Sequence, residues 1–138
     1  MTTFNPRRLG TALCAGACGI HPLEAGTSLL IECGSWLHRD DFTGRFITAG
    51  TSISDGVTLL ASIDWEAAVT ALHAGELPAS GGESRMLLLA ASIAGGTPVS
   101  LNEALPGIDR RNATLTVRAV AHAAGLPDPE TDERYLNG

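Results

Sequence analysis

Met86-Leu87-Leu88-Leu89-Ala90-Ala91-Ser92-Ile93-Ala94 is apolar nearly all round, and this segment constrains the fold more than any other. A helix with a single apolar stripe can lie on a surface, but one without a polar face must be surrounded by other elements. The segment is also too short to cross a bilayer, which takes roughly 20 apolar residues. It therefore predicts a helix in the middle of a small domain. Its limits are marked locally: Ser80 with Glu83 three residues later forms a capping-box pattern, and Gly95-Gly96 ends the helix.

Other elements must cover that helix. His21-Pro22-Leu23-Glu24 reads as a helix start, with proline in the first turn and an acid favoured by the dipole. Gly26, Leu29, Leu30 and Cys33 then make a buried stripe, and Gly34 is the expected terminator. Asp40 or Asp41 is expected to cap a short helix with Phe42 and Phe46 one turn apart. Phe46–Ser54 and Val57–Ile63 are strand-like, and Asp55-Gly56 between them predicts a tight hairpin turn with positive φ at both positions. Asp64 caps a helix that buries Trp65, Ala68, Val69 and Leu72. Ser100 to Glu103 repeats the capping-box pattern before a short helix that Pro106-Gly107 stops, and Asp109 caps a last helix running to about Ala124. Residues 1–20 show no clear period.

The expected fold is α+β: a mostly helical single domain with one β-hairpin (about 46–63) packed on helices. Its predicted core includes Leu29, Leu30, Trp36, Phe46, Trp65, Val69, Leu72, Leu88, Leu89, Ile93, Val117 and Val120. At 138 residues the chain suits one core, placed at 1–127. Residues 128–138 carry four carboxylates and one arginine, and are expected to form an acidic, mobile tail.

Charge removes several function classes. The chain has nine arginines, no lysine and 15 carboxylates, for a net charge of −6. Without a lysine amine, neither side-chain Schiff-base chemistry nor a P-loop can be built. The overall charge opposes nonspecific coating of nucleic acid, although a local basic face remains compatible with it. The start from Pro6 to Leu13, with Ala15-Gly16-Ala17 beyond it, has some features of a signal peptide, but glycine interrupts too weak an apolar region. Three cysteines make no disulfide framework, so a cytoplasmic location is expected and no membrane partner.

Leu77-Pro78-Ala79-Ser80-Gly81-Gly82-Glu83-Ser84-Arg85 resembles the signature segment of ABC-type ATPases, whose serine and glycines at a helix start face a nucleotide phosphate. The rest of that pattern is missing: no glycine-rich loop ends in lysine, and Asn102 precedes Glu103 where an aspartate is wanted for Mg²⁺. An ordinary helix start capped by Ser80 explains the same residues. The stretch from Trp65 to Asp109 also resembles uncharacterised small proteins of high-GC actinobacteria. Leu77-Pro78, Ser80-Gly81-Gly82-Glu83, Leu89-Ala90-Ala91-Ser92, Pro98-Val99 and Gly107-Ile108-Asp109 carry that likeness. It implies provenance, in keeping with the absence of lysine, and no activity.

Cys14, Cys18 and His21, with Cys33 and His38 further on, hold enough ligand types for a zinc site, although the spacing is not the usual Cys-x2-Cys. Inert thiols are the favoured reading, and no metal or cofactor is assigned. His38, Asp40 and Asp41 are read as a solvated histidine beside a helix cap rather than an acid–base cluster, and no catalytic residue is assigned.

The last two helices resemble a helix-turn-helix in outline. Arg110, Thr114, Arg118 and His122 recur every four residues with Arg111 beside them, while Ala113, Val117, Val120 and Ala124 form the expected apolar side. Arginines near a recognition helix's start suit phosphate and base-edge contacts. The leading expectation is a non-enzymatic binding or accessory protein that acts through protein contacts, self-association included. The alternatives are a DNA-binding regulator using these five residues and a small zinc-binding protein.

Overall fold

The computed structural model describes residues 5–127. The first helix, α1 (Pro6–Ala17), begins where Asn5 accepts a hydrogen bond from the Arg8 N–H at 2.8 Å and Pro6 occupies the first turn. This corrects the expectation that residues 1–20 lack periodicity. Leu9, Gly10, Ala12, Leu13 and Ala17 are buried, and three of these five are alanine or glycine, too small to stand out in a hydropathy pattern.

Helix α2 (His21–Cys33) follows the expected limits and ends at Gly34 with φ 89°. A 3-10 turn (Trp36–His38) then leads into α3 (Asp40–Phe46). Arg39, not Asp40 or Asp41, is the N-cap residue of α3. Both acids lie in the first turn, where the dipole favours them, and Asp41 pairs with Arg39 at 2.6 Å.

Strands β1 (Ile47–Thr51) and β2 (Leu59–Ile63) pair antiparallel, with Ile47 opposite Ile63, Ala49 opposite Ala61 and Thr51 opposite Leu59. The tight Asp-Gly turn does not form. Only Gly56 has positive φ, and the Ser52 N–H donates to Thr58 O across a longer loop. The Gly56 N–H closes a wider backbone turn onto Ser52 O at 2.8 Å, and the Asp55 carboxylate braces it by accepting from the Val57 and Thr58 N–H groups and the Thr58 hydroxyl.

Helix α4 (Trp65–His73) is capped by Asp64 as expected. Helix α5 (Gly81–Gly95) has the complete capping box between Ser80 and Glu83 and ends at Gly96 in the left-handed region. Ser100 precedes the single turn α6 (Leu101–Ala104) but makes no side-chain cap, which corrects the second capping box. A 3-10 turn (Leu105–Gly107) follows. Asp109 then caps α7 (Arg110–Ala123) through the Asn112 N–H at 2.8 Å.

The fold is thus mostly helical, with seven α-helices among the described residues and one small antiparallel hairpin packed against them. Helix α2 lies between α5 and α7, α1 covers β2, and α4 packs on α5. Glycine sets two of these approaches. A Cβ on Gly26 would lie 2.4 Å from Ala94 Cβ and 2.6 Å from Ala90 O, and one on Gly16 would lie 2.2 Å from Ala61 O. Trp36 is fully buried, and its Nε1–H donates to Glu83 O at the start of α5 at 3.0 Å.

Leu29, Leu30, Trp36, Phe46, Trp65, Val69 and Leu89 are buried as expected, and Leu72, Leu88 and Ile93 pack half-buried against the same core. Val117 and Val120 do not belong to it: they are 59% and 55% exposed. The expected tail at 128–138 lies outside the described residues. No helix among those described is long and apolar enough to cross a membrane.

Candidate functional site

Helix α7 carries the five residues singled out by sequence, and its rotation decides what they face. Residues four apart on an α-helix advance about 40° per step, so a row with that spacing winds round the cylinder. Arg110 and Thr114 are exposed, whereas Arg118 and His122 come round to a groove against α2. Buried Ala25, Leu29, Leu115 and Ala119 line this groove of about 210 Å³ together with the more exposed Ser28, Glu32, Arg118 and His122.

Two contacts clasp α7 to α2. The Arg111 Nη2–H donates to Glu32 O at 2.7 Å, and His122 Nε2 lies 3.0 Å from Glu24 Oε1. The other Glu24 oxygen accepts from the Gly19 N–H at 3.0 Å. The hydrogen bond from His122, followed by that from Gly19, holds the Glu24 carboxyl below its ordinary range. His21 stands edge-on to His122, with ring centroids 5.8 Å apart. Glu24, Ser28 and Glu32 repeat every four residues on α2. Arg111 bonds the Glu32 backbone carbonyl, which no side-chain pattern marks, and sequence reasoning missed both partners.

The inward face of α7 carries Leu115, Thr116 and Ala119, and Ala121, one turn beyond Val117, is buried as well. Thr116 can be buried because its hydroxyl donates to Asn112 O, one turn back, at 2.8 Å. The expected apolar side points the other way. Val117, Val120 and Ala124 are exposed and Ala113 is half-buried, so α7 has a second apolar stripe that the fold does not use.

The remaining candidates are dispersed or engaged in local structure. Helix α6 leans on α5, where Arg85 donates to Gly107 O at 3.3 Å, while α7 packs on α2 and α5. Cys14 and Cys18 are exposed; Cys33 is half-buried, and its thiol donates to Leu30 O at 3.1 Å. Burial pushes the Cys33 thiol up. Burial, and then the negative charge of Glu32, does the same to Cys14. Among the described residues no group of three or more His, Cys, Asp or Glu side chains gathers to hold a metal ion. His38 is exposed, and the Arg39 partnership, chiefly its hydrogen bond, lowers the Asp41 carboxyl. The Ser80 hydroxyl is engaged in the capping box.

No family model matches the chain, and neither a curated protein nor a solved structure matches it.

Proposed function

We propose that this chain is a binding or accessory protein that acts through protein contacts rather than catalysis, with the outer face of α7 as its contact surface. One observation carries this reading: Val117 and Val120 stand 59% and 55% exposed on a helix whose opposite side is already packed. Single exposed apolar residues are ordinary on protein surfaces. Here two valines flanked by Ala113 and Ala124 share one stripe, the pattern by which helices anchor to partners. The clasps from Arg111 to Glu32 and from His122 to Glu24 hold that stripe facing outward.

A photoreactive residue placed at position 117 or 120 in expressing cells tests this reading, with exposed Thr70 on α4 as the control position. Covalent protein adducts from 117 and 120 but not from 70 are expected. Adducts from none of them, or equally from all three, overturn the proposal.

A further inference from the structure

We infer that the cavity between α5, α6 and residues 98–100 binds a free α-amino acid with an aliphatic side chain. It shares no residue with the outer face of α7, so it stands independently of the protein-contact reading. The cavity holds about 320 Å³, with Leu88, Val99 and Ala104 among its apolar residues and Arg85, Ser100 and Glu103 among its polar ones. That volume is at the small end of the roughly 300–1,000 Å³ found in ligand pockets, and suits a small metabolite.

The capping box that does not form leaves two of the polar groups free. In that pattern the serine and glutamate side chains would bond across the helix start. Ser100 instead makes no side-chain cap, and among the described residues the Glu103 carboxylate makes no hydrogen bond or ion pair. Both line the cavity. Arg85 enters from α5, half-buried, with one Nη donating to Gly107 O at 3.3 Å. It forms no ion pair with Glu103, so guanidinium and carboxylate remain separate charges around one cavity.

Those charges select the ligand. A plain anion would pair with Arg85 but face Glu103, and a plain cation would do the reverse. An α-amino acid satisfies both. Its carboxylate meets the planar fork of Arg85, and its ammonium donates to the Glu103 carboxylate and Ser100 Oγ. Leu88, Val99 and Ala104 then receive an aliphatic side chain, whose transfer from water supplies the apolar part of the affinity.

L-Leucine is the probe. Titrated into the isotope-labelled full chain, it should shift the methyl resonances of Leu88, Val99 and Ala104 and saturate below roughly 1 mM. Isocaproate lacks the ammonium, isopentylamine the carboxylate and glycine the side chain, and each should bind about tenfold more weakly. Glu103→Gln should weaken leucine about tenfold without weakening isocaproate, and Arg85→Gln should weaken leucine about tenfold without weakening isopentylamine. A damaged fold would weaken every probe, so this split isolates the two charge pairings. Absence of saturable shifts at these methyls overturns the inference. So does isocaproate or isopentylamine binding as tightly as leucine, or leucine binding that Glu103→Gln leaves unchanged.

Discussion

Trp36 shows how one side chain can fix the relation between distant segments. It is fully buried, stacks tilted on Phe42 with centroids 5.3 Å apart, and hydrogen-bonds the first turn of α5. Trp36→Phe keeps an aromatic ring but leaves Glu83 O without its indole donor. A loss of about 1–3 kcal/mol is expected in urea unfolding. Glu24 makes a different kind of link. Its carboxyl titrates below the ordinary 4.5, so its contribution to the α2–α7 clasp is full above pH 4.5 and is lost as pH falls through the lowered folded value. In NMR titration the Glu24 carboxyl carbon should show a midpoint below 4.5, and His122→Ala should move it upward. Neither long-range role was legible in the residues. Tryptophan at 36 was recognisable as core, but its hydrogen-bond partner lies 47 positions away.

At the scale of elements, close approach and local caps do different work. Gly26 lets α2 lie against Ala90 and Ala94 of α5, and the atoms a Cβ would meet include backbone. Gly26→Ala should gain about 1 kcal/mol of helix propensity, yet lose more to overpacking that a backbone cannot relieve. The net expectation is destabilisation by about 1–2 kcal/mol in denaturant unfolding. In the hairpin, the Thr58 hydroxyl and then the Val57 and Thr58 N–H groups lower the Asp55 carboxyl to about 2. The loop's stabilisation is thus complete above pH 3.8 and fades as pH falls towards about 2. The Val57 and Thr58 amide resonances should shift over that range, together with the Asp55 carboxyl carbon. The Asp-Gly pair marked the reversal of the chain correctly but not its form, because a wider backbone turn from Ser52 to Gly56 and the Asp55 side chain organise the loop together.

Across the whole molecule, one core joins buried residues from α1 to α7, and α2 and α5 contribute several of its least exposed side chains. Leu87→Ala, at a fully buried site of α5, should cost about 2–5 kcal/mol and lower the unfolding midpoint of the whole fold. Amide exchange should be slowest in α2 and α5 and fastest at 52–58, where Ile53 and Val57 stand exposed. The sequence by itself determined where most helices start and stop and that one hairpin interrupts them. Pro22, Gly34, Asp64, Ser80, Gly96 and Asp109 act within one turn of chain, so their effects are written beside them. Only the tertiary structure decided which face of α7 turns inward. Leu115, Thr116 and Ala119 offer one stripe and Val117, Val120 and Ala124 another, and helical periodicity accommodates both. The choice came from α2, which places Glu24 beneath His122 and the Glu32 carbonyl beneath Arg111, pairs separated by 98 and 79 residues. Contacts over such distances depend on the packing of the intervening helices, and no local pattern encodes them.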